Sequence, residues 1–285
     1  MTSQMIESQS GVLGLIAGNG ELPFIVARGA KAAGLKVICV GIEGSVKPEL
    51  AEVVDEFKFV PVARLGKWIR FLRRFDVTKT IMVGGVSKQQ LFTPFFLLKY
   101  RPDWRGLRLL YNRLRKSDLR NDSLLSALAD ELAIGGVMLD NSVEYCQDHL
   151  APEGVIGTVA PSKRILDDIA FGWPIVKEIG RMDIGQSIAV KEKEVIAVEA
   201  IEGTDGMIKR AGELCKNGGW VLIKSGKPNQ DMRFDVPTVG PGTIENLKLN
   251  GGGALAIEAG VTLIIERKEM LALADKYKII VYGVK

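Results

Sequence analysis

A short apolar strand that runs into a glycine loop and then a helix opens the chain, and it constrains the fold most. Val12–Ala17 is apolar and is followed by Gly18-Asn19-Gly20-Glu21-Leu22-Pro23. Apolar residues then recur at helical spacing from Leu22 to Ala30, and a second apolar run covers Val37–Val40. Strand, loop, helix and strand in this order are typical of a doubly wound parallel sheet. We therefore predict an α/β fold.

The length of the chain favours two domains. Its 285 residues exceed the usual size of one domain. Helical and strand periodicity fades over Asp140–Gly157, where Pro and Gly accumulate. We predict an N-terminal domain over 1–145, a linker over about 146–157 and a C-terminal α/β domain over 158–285.

The second domain is denser in short strands than the first. Strands are predicted over Ser187–Val190, Val195–Ala200, Trp220–Lys224, Ala254–Ile257, Leu263–Ile265 and Ile279–Tyr282. Helices are predicted over Ser162–Lys177, Asp205–Lys216, Ile244–Leu249 and Lys268–Lys276. In the first domain, further helices are expected over Leu65–Phe75 and Ser123–Ala133, and further strands over Ile81–Val83 and Val137–Leu139.

A single histidine restricts the chemistry. His149 is the only one in the chain, so a histidine-rich metal site is excluded and any Ser-His-Asp triad would need this residue. It lies in a polar stretch before Pro152, which favours a surface connection. The chemistry must then rest on carboxylates, lysines or a bound metal. The three cysteines form no CxxC pair, and no apolar run is long enough to span a membrane, so we expect a cytoplasmic protein.

Positive charge is concentrated in one segment. Net charge is +4, but Lys99–Arg120 holds eight basic and two acidic residues and therefore carries +6. Such a segment suggests an anionic partner, or it is simply a solvated helical face. Aromatic residues at Tyr100, Trp104 and Tyr111 lie within it, which is compatible with contact to an anionic membrane surface.

The first glycine loop is a candidate phosphate site. Backbone N–H groups at a helix N-terminus bind phosphate, and glycine allows close approach, so Gly18, Asn19 and Gly20 are candidates. A tight turn that needs glycine for its conformation alone is the alternative. Glu43 follows the second strand where a dinucleotide fold holds a ribose hydroxyl, which would suit a nicotinamide cofactor.

The second domain carries two further loops and a charged cluster. Gly203-Thr204-Asp205 and Gly240-Pro241-Gly242-Thr243 each precede a helix and could be simple caps or could converge on a diphosphate. If Arg233–Pro237 is extended, Arg233 and Asp235 share one face. Such a group could hold a cation or orient a water, or it could be a salt-bridge network on an edge strand. The charged cluster comprises Lys224, Lys227, Asp231, Arg233, Asp235 and Thr238.

Several motifs together resemble the LpxI family of UDP-2,3-diacylglucosamine diphosphatases, from Gly14 to about Ile265. They are Leu15-Ile16-Ala17-Gly18-Asn19-Gly20-Glu21-Leu22-Pro23, Gly84-Gly85-Val86-Ser87-Lys88, Asp122-Ser123-Leu124-Leu125, Glu199-Ala200-Ile201-Glu202-Gly203-Thr204-Asp205 and Arg233-Phe234-Asp235-Val236-Pro237-Thr238-Val239-Gly240. The chain departs from the family pattern at Asn19, where glycine is usual, and at Asn121, which leaves one carboxylate where two are usual.

The resemblance implies a fold, a reaction and partners. It implies a Rossmann-like N-terminal domain, a distinct C-terminal domain and a homodimer. It also implies metal-dependent attack of water on the α-phosphate, giving UMP and 2,3-diacylglucosamine 1-phosphate (lipid X) in lipid A biosynthesis. The partners are then a glycolipid nucleotide, no nucleic acid, and a peripheral contact with the inner face of the cytoplasmic membrane. The cofactor is a divalent metal, Mg²⁺.

The same resemblance assigns roles to residues. Asp235 is the catalytic candidate, and Asp235 and Asp205 are the metal candidates. Substrate-binding residues predicted from the motifs and their spacing are Gly18, Asn19, Gly20, Gly85, Lys88, Asp122, Gly203, Thr204, Asp205, Lys224, Lys227, Arg233 and Thr238. Two alternatives stay open at this point: a nicotinamide-dependent oxidoreductase and a non-catalytic nucleotide-sugar binding protein.

Overall fold

A computed structural model describes residues 11–85, 102–109, 121–227, 231–233 and 236–285, with 121–124 described by their backbone alone. The chain forms two compact units. The first comprises Met1–Cys146 and Asp231–Phe234, and the second comprises Gln147–Gln230 and Asp235–Lys285. A short stretch from the second half of the sequence therefore completes the first unit.

The first unit is built on an all-parallel sheet. Its strands are β1 (Val12–Ala17), β2 (Lys36–Ile42), β3 (Glu56–Val60), β4 (Lys79–Val83) and β5 (Met138–Leu139). Their order is β3-β2-β1-β4-β5, and each neighbouring pair is parallel. The predicted strands are confirmed. β3 was not predicted, because Glu56 and Lys58 in this edge strand interrupt the continuous apolar run that marks the other strands.

Three helices follow from apolar residues at helical spacing. They are α1 (Leu22–Ala32), α2 (Leu65–Arg73) and α3 (Asn121–Ile134), and a 3₁₀ segment covers Pro48–Glu52. α2 buries Leu65, Trp68, Ile69 and Leu72, which share one face at helical spacing. Together with Leu128 and Leu132 of α3, these residues form the core on one face of the sheet. α1 packs against β1 and β2.

Part of the basic segment serves the fold of the first unit. Residues 104–109 are helical. Arg105 Nη1 donates a hydrogen bond of 2.8 Å to Glu131 Oε1, and Arg108 Nε lies 3.8 Å from Glu131 Oε2. The Glu131 side chain is only 7% exposed, and a buried carboxylate is costly without a partner. The other basic residues of Lys99–Arg120 lie outside the described residues.

The second unit is built on a mixed sheet. Its strands are β6 (Gly154–Ile156), β7 (Ser187–Lys191), β8 (Glu194–Val198), β9 (Trp220–Lys224), β10 (Thr238–Val239), β11 (Gly252–Glu258), β12 (Leu263–Ile264) and β13 (Ile280–Val284). Six of them form a sheet of order β6-β13-β11-β9-β7-β8. β9, β11 and β13 are parallel, and β6, β7 and β8 are antiparallel to their neighbours. β10 and β12 form a separate parallel pair.

Helices cover both faces of this six-stranded sheet. They are α4 (Lys163–Arg181), α5 (Gly203–Leu214), α6 (Pro241–Leu249) and α7 (Arg267–Tyr277), with a 3₁₀ segment over Gln147–His149. α4 packs on one face through Ile165, Ile169 and Val176. α5, α6 and α7 supply the core of the other face, where Trp220 is fully buried. The mixed α/β fold is thus confirmed, with a layer of helices on each side of a sheet.

Some boundaries differ from the prediction. The proposed linker over 146–157 contains β6, which pairs with β13. Residues 231–234, placed in the C-terminal domain from sequence, group with the first unit. β6 and β10 are only three and two residues long, too short for a periodicity signal. The boundaries at 145 and 158 themselves stay a prediction. None of the helices in the described ranges has the length and apolar composition of a membrane span.

Candidate functional site

In the first unit, the loops after β1 and β4 are joined to each other. Gly18 N donates to Val83 O at 2.9 Å, and Asn19 N donates to Gly85 O at 2.8 Å. Asn19 and Gly85 form an antiparallel bridge beyond the strand ends. Three of the predicted substrate-binding residues, Gly18, Asn19 and Gly85, are therefore neighbours, and Gly20 adjoins them.

Glycine is required at two positions of this junction for steric reasons. A Cβ on Gly18 would lie 2.4 Å from the carbonyl oxygen of Gly85. Gly84 has φ +85°, and a Cβ there would lie 2.5 Å from the carbonyl oxygen of Asn19. Gly20 is different, because its φ is +91° but nothing lies within 4 Å of a Cβ built on it. The backbone at Gly20 thus faces open space.

The position of this junction in the sheet is the one where open α/β sheets bind ligands. The chain runs from β1 to β2 on one side and returns to β4 on the other, so the strand order reverses between β1 and β4. Ligands bind outside the carboxyl ends of the strands at such a reversal. Glu43, at the carboxyl end of β2, is exposed at the same edge.

In the second unit, three polar side chains lie in one row across the sheet. Ser187 in β7 pairs with Lys224 in β9. Glu199 directly follows β8, and its N–H donates to Ser187 O at 2.9 Å. Side chains opposite one another on neighbouring strands point to the same face. Glu199, Ser187 and Lys224 therefore lie side by side, on the face that α5 covers.

Thr204, at the start of α5, connects this row. Lys224 Nζ donates to Thr204 Oγ1 at 3.2 Å, and Thr204 Oγ1 donates to Glu199 Oε1 at 3.2 Å. Ser187 Oγ lies 3.5 Å from the same hydroxyl. The arrangement places a cation and an anion on either side of one hydroxyl. Two predicted residues, Thr204 and Lys224, are thus brought together.

Glu199 is the residue that sequence reasoning left out of the site. It is 8% exposed, and within the described part of the chain its Oε2 atom has no hydrogen-bond partner. An unpartnered buried carboxylate oxygen is costly, so such atoms call for a function or a ligand. Glu199 belongs to the motif Glu199–Asp205, so the sequence did contain a sign of it. Its neighbours in the row lie on strands distant in sequence, so their proximity to Glu199 could not be predicted.

The start of α5 has a geometry set by its own loop. Gly203 has φ +76°, with nothing within 4 Å of a Cβ. Glu202 pairs with Arg210, and the hydrogen bond from Arg210 lowers the pKa of that carboxyl. Asp205 is exposed, and its Oδ1 accepts a 3.0 Å hydrogen bond from Asn246 in α6. Asp205 therefore ties α5 to α6, and among the described residues its side-chain hydrogen bond goes to Asn246 and not to the polar row.

Two other predicted residues of the second unit have structural partners. Lys227 Nζ donates to Asp183 Oδ1 at 2.6 Å. Thr238 Oγ1 donates to Val236 O at 3.0 Å, within its own loop. His149, the single histidine, lies with Nδ1 3.3 Å from Ile264 O.

Arg233 belongs to a tight turn in the first unit. The extended conformation considered for Arg233–Pro237 is not found at Arg233, because Met232 and Arg233 form a turn. Asp231 accepts hydrogen bonds from Arg233 Nε at 2.9 Å and from Nη2 at 2.5 Å, and from the Arg233 N–H at 3.0 Å. The hydrogen bond from Arg233 holds the pKa of the Asp231 carboxyl below its ordinary value. A two-pronged pair of this kind fixes the guanidinium plane.

Three predicted site residues cannot be placed by side chain. Asp235 and Lys88 lie outside the described residues, and Asp122 lies in α3 with its backbone alone described. Among the residues that are described, no group of three or more His, Cys, Asp or Glu side chains could hold a metal ion. A cation site would then need ligands from the substrate, from water or from residues beyond these ranges.

Comparison with known proteins agrees with this two-part architecture. The family model of the LpxI N-terminal domain matches residues 12–149, and that of the LpxI C-terminal domain matches residues 152–282. The chain is also 32% identical over 279 residues to a Caulobacter vibrioides protein named UDP-2,3-diacylglucosamine pyrophosphatase LpxI, an alignment that covers 95% of this chain and 97% of that protein. The resemblance noted from the motifs is confirmed, and the chain is an enzyme of the LpxI family.

Proposed function

We propose that this enzyme hydrolyses the diphosphate bond of UDP-2,3-diacylglucosamine in lipid A biosynthesis. The alignment with the Caulobacter relative, over 95% of the chain, carries the proposal. Water attacks the α-phosphate, the bond to the bridging oxygen breaks, and the products are UMP and 2,3-diacylglucosamine 1-phosphate (lipid X).

The first unit acts as a Rossmann-like binding domain in this proposal. The strand order β3-β2-β1-β4-β5 supports that interpretation, since it is the order of dinucleotide-binding sheets. Open space beside Gly20 is where a nucleotide or its diphosphate can approach backbone N–H groups. Gly18 and Gly85 keep the two loops close enough to form that surface.

The second unit supplies charge. Lys224 neutralises a phosphate oxygen, and Thr204 holds the lysine in place; their 3.2 Å hydrogen bond supports this pairing. Asp235 orients the attacking water or binds a metal, which the motif Arg233–Gly240 supports. Charge neutralisation and an oriented water are what diphosphate hydrolysis requires, and neither needs histidine.

A divalent metal is compatible with the residues present. Magnesium is bound through one or two carboxylates plus substrate oxygens and waters. The buried Oε2 of Glu199, which has no hydrogen-bond partner in the described part of the chain, is an oxygen of the right kind, so Glu199 joins Asp205 and Asp235 as a candidate ligand. A metal bound there would neutralise charge on the diphosphate.

The nicotinamide alternative loses its main support. It rested on Glu43 and on the opening strand-loop-helix unit, and both lie within residues 12–149, which match the LpxI N-terminal domain model. A non-catalytic nucleotide-sugar binder is likewise disfavoured by the match to a protein named a pyrophosphatase over 95% of the chain.

One experiment tests the reaction and its direction of attack. The protein is incubated with UDP-2,3-diacylglucosamine and MgCl₂ in ¹⁸O-labelled water, with and without a chelator. The expected result is labelled UMP and unlabelled sugar phosphate, lost on chelation. Label in the sugar phosphate would place the attack on the β-phosphate. Absence of turnover, with binding of the substrate retained, would support the non-catalytic alternative.

Peripheral membrane contact is proposed for the same unit that carries the basic segment. Trp104 is 80% exposed and Leu107, one turn later, is 41% exposed, which supports an apolar contact point beside the basic residues. Arg108 is a poor probe because it lies near Glu131. We expect Trp104→Ser to weaken binding to vesicles of anionic lipid, with Phe59→Ser, another exposed aromatic, as control. Equal binding of both variants would remove Trp104 from the contact.

The homodimer and the cytoplasmic location are proposals of the same kind, inferred from family membership. Light scattering of the purified chain tests the dimer, and a mass of about one chain at micromolar concentration would contradict it.

A further inference from the structure

The hydroxyl of Thr204 takes part in two hydrogen bonds whose direction is determined by chemistry. An ammonium group can only donate, so Lys224 Nζ donates to Thr204 Oγ1, at 3.2 Å. The hydroxyl proton is then left for Glu199 Oε1, which lies 3.2 Å away and, in an ionised carboxylate, can only accept. Lys224, Thr204 and Glu199 therefore form a network in which the glutamate is the final acceptor.

Ser187 occupies the remaining lone pair of the same hydroxyl. Its Oγ lies 3.5 Å from Thr204 Oγ1, and because the threonine proton goes to Glu199, the serine is the donor of this contact. The Thr204 hydroxyl thus has one acceptor and two donors around it, which fills its bonding capacity. Without the acceptor, the proton could rotate towards Ser187 or Lys224, and the lone pair that faces the ammonium would be lost.

Glu199 is held in a rigid position. Its N–H donates to Ser187 O at 2.9 Å, and a Cβ built on Gly185 would lie only 2.1 Å from its carbonyl oxygen. Glu199 and Lys224 are each 8% exposed. Hydrogen bonds are stronger in such buried surroundings than in water, so the carboxylate determines how the threonine hydroxyl points.

We propose that Glu199 is a positioning residue for Lys224, acting through the hydroxyl of Thr204. The carboxylate directs the threonine proton, the threonine oxygen accepts from Lys224, and the ammonium is held where it neutralises a phosphate oxygen. This inference rests on the role proposed for Lys224 in diphosphate hydrolysis. It uses Glu199 Oε1, whereas the metal role considered for Glu199 uses Oε2, and it requires no contact between Glu199 and the substrate.

Thr204→Val is the first test. It keeps the shape of the side chain and removes the hydroxyl, so one hydrogen bond that orients Lys224 is lost. We expect kcat to fall about 3- to 10-fold, and KM to stay within about twofold because the ammonium itself remains. Thr204→Ser keeps the hydroxyl and should recover most of kcat. If only the packing of the methyl group mattered, valine would be the better replacement.

Glu199→Met is the second test, since it removes the acceptor and keeps the length of the side chain. The expected fall in kcat matches that of Thr204→Val, and the double variant should lose no more than either alone, because both changes act through one hydroxyl. In a Lys224→Met background, Glu199→Met should change kcat by less than about twofold. If Glu199→Met does not fold, Thr204→Val in that background gives the same comparison.

Asp168→Leu is the matched control. Asp168 is 1% exposed in the second unit, and its Oδ1 accepts from Lys193 N at 2.8 Å. Like Glu199, it has one carboxylate oxygen with no partner among the described residues. It lies in α4, on the opposite face of the sheet from α5. The variant should have a lower thermal midpoint and an unchanged kcat. A fall in kcat as large as that of Glu199→Met would overturn the specific role of Glu199.

The outcomes separate this inference from the proposed function. A low kcat in Lys224→Met, with normal kcat in Thr204→Val and Glu199→Met, would overturn the positioning role alone. A further loss on adding Glu199→Met to Lys224→Met would show that Glu199 acts independently of the lysine, as a metal ligand does, and would overturn it too. Normal kcat in Lys224→Met would remove the lysine from the reaction and this inference with it. Absence of UDP-2,3-diacylglucosamine hydrolysis by the wild type would contradict the proposed function itself.

Discussion

The two units present chemically different surfaces at their candidate sites. In the first, the groups at the strand reversal are backbone atoms of Gly18, Asn19 and Gly85, joined by main-chain hydrogen bonds. In the second, they are the charged side chains of Glu199 and Lys224 around Thr204. The N–H groups of Gly18 and Asn19 are used within this junction, so such a surface recognises phosphate by its shape and by N–H groups at the start of the following helix. Charged side chains, in contrast, can stabilise a developing charge. We therefore expect changes in the first unit to affect KM and changes in the second to affect kcat.

The largest effect is expected for Asp235→Ala. Loss of an electrostatic or metal-binding group in phosphoryl chemistry costs about 10²- to 10³-fold in rate. The substrate should still bind, because the site becomes more positive. Steady-state kinetics and the thermal midpoint are measured on the same variant.

Glu178→Ala is the control for that variant. Glu178 forms an exposed ion pair with Arg181, and such pairs contribute about 0 to 1 kcal/mol. Normal kcat in Asp235→Ala together with a lower midpoint would assign the residue a structural role. It would also contradict the expectation that this change in the second unit affects kcat.

Lys224→Met should have the next largest effect. A hydrogen bond to a charged group contributes about 1.5–3 kcal/mol, which corresponds to about 10- to 100-fold in kcat/KM. Lys191→Met is the control. Lys191 is the last residue of β7, whereas Ser187, the partner of Lys224, is the first, and Lys191 Nζ donates to Gly218 O at 2.7 Å. Equal kinetics of the two variants would contradict a role for Lys224 at the site.

Gly20→Val tests the first unit. A side chain at positive φ is strained by about 1–2 kcal/mol, so both Gly20→Val and Gly34→Val should be less stable. Gly34 has φ +82° and open space around a Cβ, like Gly20, but it follows α1 at the opposite end of the strands. We expect a rise in KM of about tenfold for Gly20→Val alone. A similar KM in both variants would leave the glycine loop with a conformational role only.

The smallest effect concerns pH. The hydrogen bond from Arg233 lowers the pKa of Asp231 from its ordinary 3.8. A group with a lowered folded-state pKa stabilises the fold above the unfolded value, and that contribution disappears as pH falls through the folded value. The midpoint of Asp231→Asn should therefore lie below wild type by less than about 3 °C near neutral pH, and the difference should shrink as pH falls below 3.8. A constant difference at all pH values would exclude the ion pair as its source.

A region could be predicted from the sequence where local residue patterns determine it, and could not where pairing of distant strands determines it. Central strands such as Val12–Ala17 are buried on both faces and appear as continuous apolar runs. The first glycine loop could be predicted because its steric requirement is visible in the sequence as glycine: Gly18 has no room for a Cβ. The row of Glu199, Ser187 and Lys224 was not, because it depends on the pairing of β7 with β8 and β9 across the sheet.

The turn at Arg233 shows the same limit. Alternation in Arg233–Pro237 is compatible with a strand, but Asp231 closes a local turn through the Arg233 N–H. Ser142 binds this turn, because its N–H donates to Met232 O at 2.9 Å and its Oγ lies 2.6 Å from Arg233 O. Nothing in the local sequence identifies Ser142 as the partner of that turn, since 91 residues separate Ser142 from Arg233. Local propensity predicted the elements, and tertiary hydrogen bonds decided where this segment lies.

The return of residues 231–234 to the first unit also has a consequence for biosynthesis. A ribosome adds about 5–20 residues per second, so Met232 emerges about 4 to 17 s after Cys146. During that interval the carbonyl partners of Ser142 do not yet exist. Until then, Ser142 in the nascent first unit lacks the acceptors that Met232 and Arg233 provide. A shortened chain that ends near residue 146 would never contain those acceptors.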